Sequence, residues 1–166
     1  DRKLEALRGV LGFCAAAALD YGWVRVTDGV EAVALWIPPG EPEMSAADAE
    51  RLPVLVREVC DESTAARILT LFEAFERQRP AQPPHYFLDT LGTHPDHTGR
   101  GLGMSLVAAN LAEIDATGMP AFVETGDPAN VGRYERVGFR RERQVELVPG
   151  VVATQMWRQP RGAFEG

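Results

Sequence analysis

The feature that most constrains the fold is a strand that leads through a glycine-dense turn into a helix. Tyr86–Thr93 has the composition of a strand, and residues 101–116 repeat apolar side chains at helical spacing. Gly99, Gly101 and Gly103 mark the turn and the helix start. Free backbone N–H groups at such a helix N-terminus, with glycines that permit close approach, form a site for phosphate or pyrophosphate. The alternative is an ordinary tight turn between a strand and a helix.

Two other phosphate-binding motifs can be tested against the same residues. A dinucleotide-binding fingerprint that starts at Gly99 requires glycine at position 104, where the chain has Met104. A Walker loop requires a lysine that this segment lacks. Both motifs are therefore excluded.

The rest of the chain alternates between helical and strand patterns. In chain order we predict a helix over residues 3–19 ended by Tyr21-Gly22, strands at Trp23–Val26 and 30–37, a strand at Ala121–Thr125, a helix over 128–137, and strands at 139–148 and Val151–Arg158. Asp28-Gly29 between the first two strands indicates a hairpin. The elements predict an α/β fold in a single domain, residues 1–166, with packed layers.

Residues 41–84 interrupt the strands with a helical insert. Ser45 is the expected N-cap of one helix, and Asp61 or Ser63 of a second. The second helix places several apolar side chains on one face: Ile68, Leu71, Phe72 and Phe75. This insert must pack on another part of the protein, and we expect it to act as a lid. The alternative is that the insert is not a lid and that its acidic residues simply form a solvated helical face.

Composition excludes several classes of protein. With 166 residues, of which 45% are hydrophobic, the chain can form one domain core. Its net charge of −7 repels nucleic acid, and its longest apolar run, residues 10–19, is shorter than the roughly 20 residues of a membrane span. Cys14 and Cys60 stand far apart, which favours a reducing, cytoplasmic location over a disulfide framework.

Two motifs in this chain resemble those of the GNAT superfamily of N-acyltransferases. The first is Thr93-x-Pro95-x-x-Thr98-Gly99-Arg100-Gly101-Leu102-Gly103, which is similar to the acyl-CoA-binding motif of that superfamily. The second is Asn130-x-x-x-Tyr134-x-x-x-Gly138-Phe139. The resemblance implies a GNAT-like fold: a central mixed, mostly antiparallel sheet flanked by helices, here with a helical insert between the hairpin and the cofactor-binding strand.

The sequence departs from the superfamily pattern at Thr98, where a Gln or Arg is usual, so a long side chain is absent from the pyrophosphate loop. Tyr21-Gly22, Trp36-Ile37-Pro38-Pro39, His85-Tyr86 and the insert resemble a puromycin-acetyltransferase-like branch. Members of the superfamily carry a further strand and helix before the first helix seen here. We therefore expect an N-terminal portion, including a strand, to be missing from these residues.

The resemblance assigns roles to individual residues. Leu91, Gly92 and Thr93 match the strand that pairs with the pantetheine arm, and the N–H of Leu91 would polarise the thioester carbonyl. The pyrophosphate would lie on the loop and helix start: Thr98, Gly99, Arg100, Gly101, Gly103 and Met104. Asn130 matches an asparagine beside the pantetheine arm, or else serves as a helix cap. Tyr134 matches the tyrosine that protonates the departing thiolate, or else packs in the core.

The general base is not fixed by the motif. Glu124, at the end of a strand beside the cofactor groove, is the first candidate, followed by His85 and Asp89. His94 and His97 offer two metal ligands without a third, so we expect no metal. We expect both cysteines to pack as small apolar groups, which favours direct transfer in a ternary complex over an acyl-cysteine intermediate.

These observations predict an N-acetyltransferase that transfers the acetyl group of acetyl-CoA to a primary amine of a small molecule or peptide. The alternative is a non-catalytic acyl-CoA-binding domain that acts as a sensor or interaction module. The expected partners are the amine acceptor alone, with no nucleic acid and no membrane, and the expected assembly is a monomer or homodimer.

Overall fold

The computed structural model describes residues 2–21 and 23–162. Its helices are α1 (Arg2–Ala18), α2 (Ala46–Val59), α3 (Glu62–Gln78), α4 (Leu102–Asp115) and α5 (Pro128–Arg136). Its strands are β1 (Trp23–Val26), β2 (Ala32–Ile37), β3 (Tyr86–Thr93), β4 (Ala121–Thr125), β5 (Arg140–Val148) and β6 (Val151–Arg158). Short 3₁₀ helices lie at Leu19–Tyr21 and Pro95–His97. Gly22, expected to end the first helix, lies outside the described residues.

The strands form one six-stranded sheet in the order β1-β2-β3-β4-β6-β5. Strands β3 and β4 run parallel, and the other neighbouring pairs are antiparallel. The predicted mixed, mostly antiparallel sheet flanked by helices is therefore confirmed.

The hairpin between β1 and β2 forms as predicted, but its second strand begins at Ala32 and not at Val30. The Thr27 hydroxyl accepts the N–H groups of Glu31 and Ala32 at 2.9 and 3.1 Å, and it donates to the Glu31 carboxylate at 2.6 Å. Val30 has φ 58°, which a strand residue does not adopt. The loop therefore extends through Glu31, and the prediction of a strand from residue 30 was wrong by this margin.

Helices cover both faces of the sheet. On one face, α4 and α5 enclose the largest core, in which Trp36 is 1% exposed and its Nε1–H donates to Oδ1 of the buried Asn110 at 3.0 Å. On the other face, α1 packs on β2 through Ala18, Leu35 and Ile37. Within residues 2–21 and 23–162, no helix combines the length and the hydropathy that a membrane crossing requires.

The insert packs on the α1 face of the sheet. Ala74 of α3 is buried against Val145 and Leu147 of β5, and Val56 of α2 is buried against Val10 of α1. The caps follow the sequence: the Ser45 side chain accepts the N–H of Asp48 at 3.1 Å, and Asp61 accepts that of Thr64 at 3.0 Å. Ser63, the alternative cap, lies within α3 instead. The expectation that the insert packs on another part of the protein is confirmed.

Candidate active site

The central feature is a fork between β3 and β4. These two strands pair only at Tyr86↔Ala121 and Phe87↔Phe122. Beyond that point β3 stays paired with β2, while Val123 to Thr125 of β4 pair with β6. The two parallel strands therefore separate, and each exposes a backbone edge to the gap between them.

A β-bulge lies on β3 just inside the fork. Leu35 pairs with Thr90 and Trp36 with Leu88, which leaves Asp89 as an extra residue on β3. Bulges of this kind redirect side chains and occur next to active sites. Here the bulge sets the orientation of every β3 residue from Thr90 onward.

The edge of β3 that faces the gap carries the N–H groups assigned to the pantetheine arm. The N–H of His94 donates to the Glu31 carbonyl at 2.7 Å, toward the β2 side. Successive backbone groups on a strand point to opposite sides, so the N–H groups of Thr93 and Leu91 point away from β2. Gly92, between them, points toward β2 opposite Val33.

The N-terminus of α4 lies beside this edge. Gly101 is its N-cap, with φ 75° and no side-chain cap, and Gly99 has φ 77°. Both conformations favour glycine. A Cβ on Gly103 would lie 3.0 Å from Thr93 Oγ1 and 3.6 Å from Leu91 Cδ1. Glycine at position 103 therefore lets the helix start approach the same strand residues whose N–H groups face the gap.

Two loop side chains are occupied within the loop itself. The Thr98 hydroxyl donates to the Pro95 carbonyl at 3.0 Å, and an Arg100 guanidinium nitrogen lies 3.4 Å from Nδ1 of His97. Thr98 and Arg100 are exposed. An anion at this helix start would thus meet backbone N–H groups first, with Arg100 on the same loop. Met104 packs against the α4 core.

Helix α5 carries the second motif. Tyr134 is 7% exposed and packs edge-on against Phe139, and burial raises its pKa. In the described part of the chain its hydroxyl is in no hydrogen bond. Asn130 is half-buried and its Oδ1 accepts from Arg133 at 2.6 Å. Tyr134 is therefore protonated at neutral pH, as a proton donor must be.

Two of the three base candidates meet inside the fork. The side chain of Glu124 on β4 is 3% exposed, and its carboxylate accepts from Arg79 at 3.3 Å and from Gln155 at 3.2 Å. Asp89 accepts from the Thr90 hydroxyl at 2.9 Å. Burial raises the pKa of both carboxyls, and Arg79 opposes that rise. Two carboxylates thus share one guanidinium on the insert side of the sheet.

His85 lies before the fork, next to the paired residues Tyr86 and Phe87. Its Nδ1 is 2.7 Å from the Pro83 carbonyl, so Nδ1 carries the proton and Nε2 is the free nitrogen. The ring packs against Phe122 and Trp157, and burial lowers its pKa. The imidazole is neutral at neutral pH and lies two residues before Phe87, the last β3 residue that pairs with β4.

The cysteines and histidines supply no further reactive group to this site. Burial and the nearby Asp89 raise the pKa of the Cys14 thiol to about 11, so its thiolate is disfavoured. Cys60, the C-cap residue of α2, is half-buried. The rings of His94 and His97 meet edge to face with centroids 5.8 Å apart, and in the described ranges 2–21 and 23–162 no three potential ligands gather as a metal site requires.

Sequence reasoning missed the residues that surround the carboxylates. Arg79 falls in a proline-rich connector, where the pattern indicates only a linker. Glu43 of the insert forms an ion pair with it. Gln155 of β6 is 2% exposed and donates to the Gln78 carbonyl at 2.9 Å as well as to Glu124. The position of Gln155 within the mostly apolar strand β6 was the one sequence feature that could have indicated a buried polar cluster.

Comparison with known proteins agrees with this geometry. Residues 81–148, which span β3, α4, β4 and α5, match the family described as FR47-like protein. A structure from Corynebacterium glutamicum, described as histone acetyltransferase HPA2 and related acetyltransferase, is 20% identical with a TM-score of 0.61, covering 92% of this chain and 75% of that one. Arylalkylamine N-acetyltransferase 2 from Aedes aegypti is 13% identical with a TM-score of 0.58, covering 90% and 79%.

The solved structures share the fold, and the family match covers the segment that holds both motifs and the fork. The fold that the two motifs imply is thereby confirmed, and the family match supports the resemblance to the superfamily, while the puromycin-acetyltransferase-like branch stays a prediction. Residues 81–148 match the FR47-like family, and the chain shares its fold with solved acetyltransferases.

Proposed function

We propose that this protein is an acyl-CoA-dependent N-acetyltransferase that transfers an acetyl group from acetyl-CoA to a primary amine of a small molecule or peptide. The observation that carries the proposal is the fork between β3 and β4, whose free N–H edge lies beside an α4 N-terminus without a side-chain cap. The fold of the solved acetyltransferases supports the same activity.

Acetyl-CoA fits this arrangement from end to end. The amide-rich pantetheine arm would pair with the exposed N–H groups of Leu91 and Thr93, in place of the missing β4 partner. Its pyrophosphate would lie on the uncapped N–H groups from Gly101 onward, where the helix dipole favours negative charge. Asn130 would contact the arm from α5.

The chemistry then needs a base, an oxyanion donor and an acid. The base takes a proton from the acceptor ammonium, and the neutral amine attacks the thioester carbonyl. The Leu91 N–H stabilises the oxygen as it gains negative charge. When the C–S bond breaks, Tyr134 gives its proton to the CoA thiolate, and the tyrosinate takes up the second proton, which the attacking nitrogen releases as the tetrahedral intermediate collapses. The products are the amide and free CoA, with Tyr134 reprotonated and one proton held by the base.

Among the base candidates the geometry favours Asp89. It stands two residues before Leu91, on the bulge inside the fork, and its one hydrogen bond leaves acceptor capacity free. Glu124 lies nearby but has both oxygens engaged, and His85 lies before the fork. The pKa of Asp89 is raised by burial, which brings it closer to the range in which a carboxylate removes a proton efficiently.

The side of the fork where we expect the acceptor to bind carries more negative than positive charge. Glu43, Asp89 and Glu124 surround Arg79, so three carboxylates meet one guanidinium. Such a field attracts a cationic amine. A structural neighbour described as an arylalkylamine N-acetyltransferase is consistent with an amine acceptor of this kind.

The test is a thiol-release assay with acetyl-CoA and a panel of primary amines, using wild type and Tyr134→Phe. We expect turnover with at least one amine, and a loss of about 10²- to 10⁴-fold in kcat for Tyr134→Phe with the Kd of acetyl-CoA unchanged. Tyr21→Phe, in the 3₁₀ helix after α1, is the matched control and should turn over like wild type. Full activity in Tyr134→Phe would show that Tyr134 is not the proton donor to the CoA thiolate.

The second candidate is a domain that binds acyl-CoA without catalysis, and Thr98 is the observation that favours it. Its short side chain bonds within the loop and leaves no long side chain over the pyrophosphate. Binding of acetyl-CoA by calorimetry, without CoA release on any amine, would establish this function. Absence of binding would contradict both candidates.

A further inference from the structure

Arg79 connects the helical insert to the fork. It caps the C-terminus of α3, with its N–H bonded to the Phe75 carbonyl at 3.0 Å. Its side chain is 20% exposed and lies over the Phe87 ring, with Cζ 4.0 Å from the centroid. One guanidinium nitrogen pairs with Glu43, from the loop before α2, and another with Glu124 of β4 at 3.3 Å.

Charged and titratable groups face this guanidinium from each element around it. They are Asp89 on β3, Glu124 on β4, Glu43 before α2 and His85 before β3, with Cys14 of α1 next to Asp89. Arg143 of β5 approaches through Gln155, to which its Nε donates at 2.8 Å. The Nε of Arg79 is buried and has no partner among the described residues.

This arrangement makes the two carboxylates depend on Arg79. A carboxylate as buried as that of Glu124 is costly to ionise without an opposite charge nearby. Without Arg79, Gln155 would be the one remaining hydrogen-bond partner of Glu124 among the described residues. The negative charges of Asp89 and Glu124 would then lie side by side without the guanidinium between them. One of the two carboxylates would then take up a proton, or both would turn away from each other.

We propose that Arg79 is a positioning residue for proton transfer: by direct pairing it fixes the place of the Glu124 carboxylate, its charge keeps Glu124 and the neighbouring Asp89 ionised, and through Glu43 it makes both carboxylates depend on how the insert is seated. This inference rests on the proposed acetyltransferase function. Arg79 itself touches neither acetyl-CoA nor the reacting atoms in this scheme, and acts through the carboxylates.

The first test compares the pH dependence of kcat/KM for Arg79→Met, Arg79→Lys and Arg77→Met with that of wild type, using one amine. The ratio of variant to wild type cancels the titration of the amine itself. For Arg79→Met we expect kcat/KM to fall below wild type at acidic pH, by about tenfold for each unit by which the pKa of the base carboxylate rises. At alkaline pH, where the carboxylate is ionised in both proteins, the difference in kcat/KM should narrow. Arg79→Lys should restore most of the acidic limb.

Arg77→Met is the matched control, because Arg77 lies in the last turn of the same helix and is exposed. It should follow wild type at every pH. A deficit in Arg79→Met that is equal at all pH values would overturn the inference, since it would mean that the residue serves only to hold the structure. If Arg79→Met does not fold, Arg79→Lys and Glu43→Gln carry the test, and for Glu43→Gln we expect a displaced acidic limb.

A second measurement separates this inference from the proposed function. Carboxyl ¹³C NMR titration reports the pKa values of Asp89 and Glu124 without any amine or turnover. In Arg79→Met both carboxyl resonances should titrate at higher pH than in wild type. Unchanged titrations overturn the positioning role, whereas shifted titrations in a protein that acetylates no amine contradict only the acetyltransferase function.

Discussion

At the scale of single residues, the site depends on glycine at position 103. A Cβ there would lie 3.0 Å from Thr93 Oγ1, against a strand that the site requires in place. We predict that Gly103→Ala lowers the free energy of unfolding by about 1 kcal/mol, since overpacking costs about 1–3 kcal/mol and the helical propensity of Ala returns part of it. It should also weaken acetyl-CoA binding, measured by calorimetry.

Gly12→Ala is the control for this substitution. Gly12 also lies in a helix, and a Cβ there would meet nothing within 4 Å. The change should stabilise the protein by about 0.5–1 kcal/mol and leave acetyl-CoA binding unaltered. If Gly103→Ala behaves in the same way, close approach of α4 to β3 is not the reason for this glycine.

Residues differ in how far sequence can predict their place. The turn at Gly99 and Gly101 could be predicted because a left-handed backbone conformation favours glycine, and both residues adopt that conformation. Asp89 could be named as a candidate base, but its bulge could not be predicted, because the extra residue is defined only by pairing with β2. Arg79 could not be predicted at all, since its partners come from three distant segments.

At the scale of elements, the N-cap of α2 offers a direct test of how the insert is held. The Ser45 hydroxyl oxygen accepts the N–H of Asp48 at 3.1 Å, and the hydroxyl donates to the Asp48 carboxylate at 2.6 Å. We predict that Ser45→Ala lowers the free energy of unfolding by about 1 kcal/mol, the usual cost of a lost N-cap. Urea denaturation followed by circular dichroism measures it.

Ser63→Ala is the matched control, because Ser63 is exposed inside the first turn of α3, where Asp61 is the cap. It should leave the unfolding midpoint where it is in wild type. An equal loss for both serine variants would show that the Ser45 hydrogen bonds do not stabilise α2.

Most element boundaries could be predicted from sequence. Strands β1, β3, β4 and β6 begin and end where their composition predicts, and Ser45 and Asp61 cap their helices as expected. These features depend on local chemistry, such as a side-chain oxygen that accepts a nearby N–H. The start of β2 was misplaced because Val30 favours a strand by composition, while the Thr27 hydrogen bonds hold it in a loop.

At the scale of the whole molecule, the sheet order and the fork lie beyond what the residue pattern can predict. The pattern gives six strands but not that β4 leaves β3 after Phe122 to follow β6. That choice is made by long-range packing, with Val123 on the α4 and α5 face and Glu124 on the insert face. The superfamily resemblance supplied the expectation of a cofactor groove, and the register of β3 and β4 shows a gap between two exposed strand edges, in which we propose that the cofactor binds.

An ion pair at the far end of α4 joins distant parts of the molecule. Asp115 accepts two hydrogen bonds from Arg158 of β6, at 2.6 and 2.7 Å, while Arg158 Nε donates to the Val137 carbonyl after α5. Arg158 is 5% exposed, so loss of its partner leaves a buried charge. Removing one member of a buried pair costs about 3–5 kcal/mol, and because Asn keeps one acceptor we predict about 2 kcal/mol for Asp115→Asn at neutral pH.

This difference should disappear in acid. Arg158 holds the pKa of Asp115 below its usual value, so the stability that the pair contributes is complete at neutral pH and is lost as the pH falls through the folded-state pKa. The difference between wild type and Asp115→Asn in urea denaturation should therefore begin to shrink once the pH falls below the ordinary aspartate pKa of about 3.9, and should vanish below the lowered folded-state pKa. Glu113→Gln is the control on the same helix: its exposed pair with Arg25 should contribute about 0–1 kcal/mol. If the difference in free energy of unfolding between wild type and Asp115→Asn stays constant with pH, the lost stability is due to the shape of the side chain and not to its charge.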